Sequence, residues 1–416
     1  MSQNASAWAM TLERLEKAAK IAELDPEVTA LLREPQRIFV VSFPVRMDDG
    51  TTRLFKGYRV HHNHALGPIM GGTRFHGEET LDDVKALGLL MTLKNSLNGL
   101  SAGGGKGGVV VDPDSLSKAE LERLCRAYIR AIAPMVGTWL DFPGADLGTD
   151  SQTQSWFLDE LEQMNAMTHN PAAISGKDII LGGSQGRAAA TGLGVMFSVR
   201  EACKILGIQL KGLRIAIQGV GKVGGWAASL LYEKGAKIVA VSDVFGGVCA
   251  PGGINIPELL KFVEKTGKVE GFFGAKAINK NELLTVDCDV IIPAAVQNVI
   301  NTEVASKIKA KVVAEGANGP TTLDGEEVLL SRGIFVVPDI LANGGGTTVA
   351  YLEKAQNLYE CYWSEKEVHA KYEEMFVQCF NEIYKICKEK GISMRMASYV
   401  KALKRIELAI KIRGWV

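Results

Sequence analysis

The sequence predicts a two-domain α/β protein whose second domain contains a doubly wound parallel sheet. At 416 residues the chain is too long for a single hydrophobic core. From residue 186 onward, short apolar segments alternate with helical ones, and the strand candidates are LRIAIQGV, KIVAVSD, DVIIPAA, AKVVAEGA and GIFVVPD. This alternation is typical of parallel strands joined by helices.

The composition is that of an ordinary globular protein. Apolar residues make up 47% and charged residues 23%, and Lys+Arg and Asp+Glu balance at 47 each. This balance argues against a nucleic acid or an anionic membrane as a partner, and no apolar run is long enough to predict a membrane-spanning helix. The opening segment, MSQNASAWAMTLERLEKAAK, lacks the features of a signal peptide and predicts an exposed helix.

The cysteines and histidines favour neither disulfides nor a metal site. The seven cysteines are scattered without C-x-x-C spacing, which favours free thiols and a cytoplasmic protein. His61, His62 and His64 could bind a metal, but neighbouring residues on a strand point to opposite faces. We therefore expect no metal, and a polar surface or interface at these histidines.

The elements before residue 186 follow from local patterns. Residues 37–45 and 53–61 are β-branched and aromatic runs separated by a turn at 47–50, which predicts a β-hairpin. Residues 80–97 predict an amphipathic helix with Thr80 as its N-cap. A glycine cluster then leads into a strand candidate at 109–111, and further helices are expected, at 117–135, 188–206 and in a long tail at 366–412.

A dinucleotide site is predicted after the strand Ile215–Gln218. The following G-x-G-x-x-G motif places Gly219 at a tight turn, Gly221 beside a pyrophosphate and Gly224 where a helix packs on the strand. Asp243 ends the next strand, where a carboxylate would bind a ribose 2′-hydroxyl and repel a 2′-phosphate. NAD is therefore favoured over NADP, although Lys222 could approach a phosphate.

A second motif surrounds Lys106 with five glycines in GGGKGG. Such a run is entropically costly, so a surface turn with a solvated lysine is the less favoured interpretation. The favoured one is a lysine in a tight, dry site, where burial and a nearby cation such as Lys94 lower its pKa.

With these motifs the chain resembles the glutamate/leucine/phenylalanine/valine dehydrogenase family, and overall the bacterial catabolic glutamate dehydrogenases. The matching segments lie in order along nearly the whole chain: GYRVHHN, GPIMGGTRFH, MTLKNSL, GGGKGGVVVDP, FPGADLGTD, GGSQGRAAATG, IQGVGKVG, PAAVQN, AEGANGPTT and RGWV. The resemblance implies NAD-dependent, reversible deamination of an L-amino acid to a 2-oxo acid and ammonia.

The resemblance also implies roles for individual residues. Lys106 matches the catalytic lysine that activates water, and Asp146 the acid that exchanges protons with the amine. Lys94 matches the lysine that binds the α-carboxylate, and Asn343 a residue facing the amino-acid head. The expected cofactor-binding residues are Gly219, Gly221, Gly224, Val223, Asp243, Thr191, Ala294 and Asn318.

The family architecture implies a substrate-binding and assembly domain and a Rossmann-like domain with a cleft between them. We assign residues 1–182 and the C-terminal helix 392–416 to the first domain, and residues 183–391 to the second. Family members are usually homohexamers, so a homohexamer is expected here.

The side-chain pocket departs from the glutamate-specific pattern. Met70 stands where those members carry a lysine, Ala350 where they carry a serine, and Gly144 where alanine is usual; Gly72 completes the pocket. A distal carboxylate without a partner would cost several kcal/mol to bury, whereas an apolar side chain gains about 0.8 kcal/mol per CH₂. The sequence therefore predicts an apolar or aromatic substrate such as methionine, norleucine, leucine or phenylalanine.

Two alternatives remain open at the level of sequence. In the first, the chain is an NAD-dependent glutamate dehydrogenase in which another cation, such as Arg74, binds the distal carboxylate. In the second, it is a non-catalytic member that binds nucleotide and regulates, which the presence of Lys94, Lys106 and Asp146 argues against.

Overall fold

The computed structural model describes residues 6–416, which fold into two compact units. Unit 1 comprises the chain up to Gln185 together with Thr347–Val368 and Tyr399–Val416. Unit 2 comprises Gly186–Gly346 and His369–Ser398. Neither unit is therefore a single continuous segment of the chain. No helix in this part of the chain is long and apolar enough to span a membrane.

Unit 1 is a five-stranded mixed sheet with helices packed against it. Its main elements, up to residue 164, are α1 (Ala7–Ile21), α2 (Pro26–Leu32), β1 (Arg37–Arg46), β2 (Thr52–Asn63), β3 (Ile69–His76), α3 (Leu81–Leu97), β4 (Gly103–Val110), α4 (Lys118–Ile132), β5 (Asp141–Ala145) and α5 (Ser151–Met164). The strand order is β1-β2-β4-β3-β5. β1 and β2 form the expected antiparallel hairpin, and β3 runs parallel to both β4 and β5.

The hydrophobic core of unit 1 lies between the sheet and helices α4 and α5. Aromatic rings form its centre, where Tyr128 packs against Phe43 and Phe157, and Phe157 in turn contacts Phe75. α3 begins at the expected cap: the Thr80 side chain accepts a hydrogen bond from the Asp83 amide, and Asp83 accepts one from the Thr80 amide. The helix therefore begins at the predicted residue.

Strand β4 differs from the prediction, because the glycine cluster is itself the strand. A Cβ atom at Gly104 would lie 2.0 Å from the amide nitrogen of Thr92, and one at Gly71 would lie 1.7 Å from the carbonyl oxygen of Gly105. Only glycine permits this close approach between the strands and α3. The glycines therefore bring the backbone of α3 and the neighbouring strand close to Lys106.

Unit 2 is a seven-stranded sheet, five strands of which are parallel. Its elements, with the helices that close the chain, are α6 (Ala190–Leu206), β6 (Arg214–Gln218), α7 (Lys222–Glu233), β7 (Lys237–Ser242), β8 (Gly247–Cys249), α8 (Ile256–Thr266), β9 (Lys276–Ile278), β10 (Val290–Pro293), α9 (Thr302–Lys307), β11 (Val312–Ala314), α10 (Leu323–Ser331), β12 (Phe335–Val337), α11 (Asp339–Ala342), α12 (Gly345–Tyr359), α13 (Glu365–Lys390) and α14 (Met394–Ile412). The order β12-β11-β10-β6-β7-β8-β9 puts the topological switch point between β6 and β10. This is the predicted doubly wound fold, with β8 and β9 added antiparallel at one edge.

The division into units differs from the expected domains mainly at residues 347–368. We expected this segment in the Rossmann-like domain, but it packs in unit 1, where Glu353 forms a buried ion pair with Lys177 at 2.9 Å. The C-terminal helix also starts in unit 2, because Arg395 forms ion pairs there with Glu315, Glu326 and Asp339. The expected helical tail is broken at Gly391, which has a φ of 62° and separates α13 from α14.

Of the three clustered histidines, His64 is exposed but the other two do not lie on the surface. His61 and His62 are buried and point to opposite faces of the strand, His61 toward Asp141 at 2.7 Å and His62 toward Thr92 at 2.8 Å. The expectation of a polar surface was therefore wrong for these two residues, because each is held by a buried hydrogen-bond partner. Within residues 6–416, no cluster of side chains suited to a metal ion is found.

Candidate active site

Three charged side chains converge at one end of the unit 1 sheet. Lys106 lies on β4, Arg74 on β3, and Asp146 directly follows β5. The Lys106 ammonium donates a hydrogen bond to Oδ2 of Asp146, and Nε of Arg74 donates to Oδ1 of Asp146 at 2.9 Å. The amide of Leu147 also donates to Oδ1, at 2.8 Å. The two residues expected to be catalytic are thus in direct contact.

Burial gives the two partners different protonation behaviour. Lys106 is only 3% exposed, and this burial lowers its pKa to about 8; Asp146 opposes the shift, while Arg74 and Lys94 add to it. Burial alone would raise the pKa of Asp146, but the charges of Lys106 and Arg74 hold it well below its usual range. Near neutral pH, a proton can therefore leave Lys106 at little cost while Asp146 stays ionised.

A glycine of β3 lets Asp146 pack closely against the sheet. Gly72 and Gly144 are Cα partners in the β3–β5 pairing, and a Cβ atom at Gly72 would lie 2.8 Å from Oδ2 of Asp146. Lys94 occupies the last turn of α3 and is close enough for its charge to lower the pKa of Lys106. Unit 1 thus brings together the expected catalytic residues and the expected carboxylate-binding lysine.

The other end of the same sheet face is largely apolar. Met70 is buried and is the Cα partner of Phe142, and Ala350 is buried on α12. One helical turn beyond Ala350, the ammonium of Lys354 lies 4.1 Å from the ring centroid of Phe142. The sequence analysis missed Lys354; its spacing of four residues from Ala350 was the signal that could have identified it.

The predicted cofactor residues lie at the C-terminal ends of the unit 2 strands. Gly219 follows β6 with a φ of 94°, Gly221 caps α7, and a Cβ atom at Gly224 would lie 1.9 Å from the carbonyl oxygen of Gly219. Gly219 and Gly224 therefore have the backbone geometry expected of them, and the approach of Gly221 to a pyrophosphate stays a prediction. A Cβ atom at Gly221 would meet nothing within 4 Å, which leaves the amides at the start of α7 open to a phosphate.

The remaining unit 2 residues follow neighbouring strands. Ala294 comes directly after β10, and its amide donates to the carbonyl of Gln218 at 2.8 Å. Asn318 follows β11 and accepts a hydrogen bond from Nδ2 of Asn343 at 2.9 Å. A Cβ atom at Gly316 would contact both Ala294 and Val223. These residues surround the switch point, where open parallel sheets bind nucleotides.

Two further cofactor residues have local contacts of their own. Thr191 lies in the first turn of α6, and its Oγ1 is near Gly346. Asp243 follows β7, but its carboxylate already accepts hydrogen bonds from the amides of Phe245 at 2.8 Å and Val269 at 2.6 Å. Asp243 therefore holds its own turn, and its contact with a ribose stays a prediction.

Comparison with known proteins matches both parts of the chain. Residues 35–163 match the Glu/Leu/Phe/Val dehydrogenase dimerisation domain, and residues 182–414 match Glutamate/Leucine/Phenylalanine/Valine dehydrogenase. The chain belongs to this family. It is therefore an amino-acid dehydrogenase, an oxidoreductase that acts on CH–NH₂ donors, as the sequence predicted.

Similar members of the family are known from several bacteria. The chain is 44% identical to the cryptic catabolic NAD-specific glutamate dehydrogenase of Bacillus subtilis strain 168, over 97% of this chain and 94% of that one. It is 43% identical to the NAD-specific glutamate dehydrogenase of Clostridioides difficile, over 99% of both.

Solved structures of family members have the same fold. Glutamate dehydrogenase from Peptoniphilus asaccharolyticus is 40% identical with a TM-score of 0.89, covering 99% of this chain and 100% of that one. Hetero-hexameric glutamate dehydrogenase from Thermus thermophilus, in a leucine-bound form, is 35% identical with a TM-score of 0.94, covering 99% and 98%. The two-domain α/β fold predicted from the sequence is thereby confirmed.

Proposed function

We propose that this amino-acid dehydrogenase oxidatively deaminates L-glutamate to 2-oxoglutarate and ammonia. The relatives that are 44% and 43% identical over nearly the whole chain are both named NAD-specific glutamate dehydrogenases. These names favour the glutamate alternative over the apolar or aromatic substrate that the pocket sequence suggested. The cofactor is NAD, in agreement with the sequence analysis and with these relatives.

The contact between Lys106 and Asp146 is the main observation that supports the proposed deamination. Lys94 is assigned to the α-carboxylate of the substrate, which would place the amine beside Asp146. NAD would be held by the glycines at the start of α7 and would supply the acceptor for the hydride that leaves the substrate Cα. Neutral Lys106, whose pKa is about 8, then takes a proton from the water that attacks the iminium carbon. Asp146 exchanges protons with the amine as ammonia leaves.

The residues at the start of α7 fit a bound dinucleotide. Gly221 leaves open space at the helix N-terminus, and Gly219 adopts the left-handed backbone conformation that a tight turn requires. This arrangement supports Gly219, Gly221 and Gly224 as the pyrophosphate site, with Val223, Ala294, Thr191, Asn318 and Asp243 as further cofactor contacts. Asn343, which donates to Asn318, is retained as a contact to the amino-acid head.

The position of Arg74 limits how the distal carboxylate of a bound glutamate could be held. Arg74, the cation suggested by the sequence, is paired with Asp146 at the reacting end of the sheet. It is therefore poorly placed to serve the Met70 end of the same face. A glutamate side chain that extends past Gly72 and Gly144 toward Met70 needs a different partner.

Steady-state kinetics with a panel of amino acids tests the proposal. NADH formation is followed by absorbance with glutamate, methionine, norleucine, leucine and phenylalanine, each with saturating NAD⁺. We expect glutamate to give the highest kcat/KM. A higher value for methionine, norleucine, leucine or phenylalanine would restore the apolar-substrate hypothesis. NAD binding without turnover of any amino acid would instead indicate a non-catalytic member.

We also propose that the enzyme is a cytoplasmic homohexamer whose partners, apart from its own copies, are small molecules. The match to a dimerisation domain at residues 35–163 supports self-association. The cysteines of the described chain are free thiols, as a reducing compartment would require.

A further inference from the structure

Lys354 is a buried lysine on α12 that the proposed chemistry does not use. Its side chain belongs to unit 1 and is 6% exposed. The ammonium lies 4.1 Å from the ring centroid of Phe142 and 5.0 Å from that of Trp139. Across residues 6–416, no carboxylate forms an ion pair with it. Asp141 acts on this ammonium through its charge but forms no ion pair with it, and a buried ammonium is costly unless an anion joins it.

Strand register places this ammonium at one end of the substrate face. Phe142 is the Cα partner of Met70, and Gly144 is the partner of Gly72. Alternate residues of a strand share a face, so Phe142, Gly144 and Asp146 form one row beside Met70 and Gly72. Lys354 covers the Phe142 end of that row, and the Lys106–Asp146 pair marks the other end.

The face changes from charged to apolar between the Lys106–Asp146 pair and Phe142. At the reacting end, Asp146 is engaged by both Lys106 and Arg74. At the far end, Met70 and Ala350 offer no charge, and Ala350 lies one turn before Lys354 on α12. Lys354 is thus the cation of unit 1 that lies against Phe142, beside the small side chain of Ala350.

From this geometry we propose that Lys354 binds the distal carboxylate of the substrate and selects a dicarboxylic amino acid. The inference rests on the proposed glutamate activity and names the residue that makes it specific. A carboxylate bound there would form a charge-assisted hydrogen bond beside the buried ring of Phe142. The pKa of Lys354, lowered by burial to about 8, leaves it protonated near neutral pH.

The test compares glutamate with norvaline, which has a methyl group in place of the distal carboxylate. In Lys354→Met, we expect kcat/KM for glutamate to fall by at least about 100-fold, since a buried carboxylate loses its partner. The loss should appear mainly in KM, because the reacting groups are untouched. The value for norvaline should stay the same or rise, and Lys354→Arg should keep more glutamate activity than Lys354→Met.

Lys56→Met is the matched control variant. Lys56 is also a unit 1 lysine above an aromatic ring, at 5.4 Å from the centroid of Tyr58, but it is exposed. Its replacement should leave kcat/KM unchanged for both glutamate and norvaline. NAD binding, measured by fluorescence, and melting temperature check that each variant is folded.

The outcomes separate the two proposals. If the wild type prefers glutamate and Lys354→Met keeps its glutamate kcat/KM within about twofold, the role of Lys354 is refuted and the glutamate activity stands. Equal losses for glutamate and norvaline would indicate a packing role and also refute it. If the wild type prefers norvaline or methionine to glutamate, the proposed function fails, and the role of Lys354 fails with it.

Discussion

Lys106 takes its reactivity from burial between charges of both signs. Asp146 raises its pKa, Arg74 and Lys94 lower it, and desolvation makes the largest contribution, so the pKa falls to about 8. Lys106 lies in a strand of glycines, which lets the backbone of α3 and the neighbouring strands pack closely beside it. A base that must be neutral to act should therefore gain activity as the pH rises through this value.

The pH dependence of glutamate deamination follows from this shift. Below about pH 8, Lys106 is protonated in the free enzyme, so kcat/KM should rise about tenfold per pH unit. Above about pH 8 it should fall again for glutamate, because Lys354, the proposed partner of the distal carboxylate, loses its proton there. Asp146 contributes no change in this range, because its pKa is held far below it. Initial rates at constant ionic strength measure the profile.

Lys106→Ala should lose turnover but retain NAD binding, and full activity in that variant would contradict the assignment of Lys106 as the base.

Sequence reasoning succeeded at residues whose roles depend on local geometry. Gly219, Gly221 and Gly224 were predictable because a strand, a turn and a helix follow one another directly in the chain. The spacing of Lys354 from Ala350 was visible in the sequence, but its contact with Phe142 was not, because Phe142 is distant in the sequence and is brought close only by packing. The same applies to Arg74, whose pairing with Asp146 depends on the alignment of two strands.

At the scale of elements, β4 shows how glycine can be a packing residue. The patterns for β6 and β7 were recognisable because they are short runs of Ile, Val and Ala. β3, β5 and the start of β4 were missed because their glycines and prolines resemble turns. Close approach to neighbouring backbone, which no local pattern reports, is what makes these segments strands.

Replacing Gly104 with alanine should disrupt the contact between β4 and α3. The new Cβ atom would lie 2.0 Å from the amide nitrogen of Thr92, so one of the two elements must move. We expect a loss of stability of about 1–3 kcal/mol, seen as a lower melting temperature, together with lower kcat because β4 carries Lys106. Gly252→Ala is the control, since its Cβ would meet nothing within 4 Å. An unchanged melting temperature in Gly104→Ala would contradict this account of β4.

At the scale of the whole molecule, the proposed hexamer is directly measurable. Light scattering coupled to size-exclusion chromatography should give six times the chain mass of 44.9 kDa. A monomer would contradict the self-association inferred from the dimerisation domain, and a dimer or octamer would correct only the number of copies. Because self-association stabilises a folded protein by mass action, the melting temperature should rise with protein concentration.

The path of the chain between the two units has a consequence for inheritance and engineering. A fragment that ends at Gln185 keeps Lys94, Lys106 and Asp146 but loses Ala350 and Lys354. With a single recombination point, the nucleotide-binding unit therefore cannot be exchanged for that of a relative without also replacing residues 347–368, which include Ala350 and Lys354. A chimera that exchanges only the nucleotide-binding unit requires separate junctions on both sides of residues 347–368, so that the proposed carboxylate-binding residue Lys354 is kept.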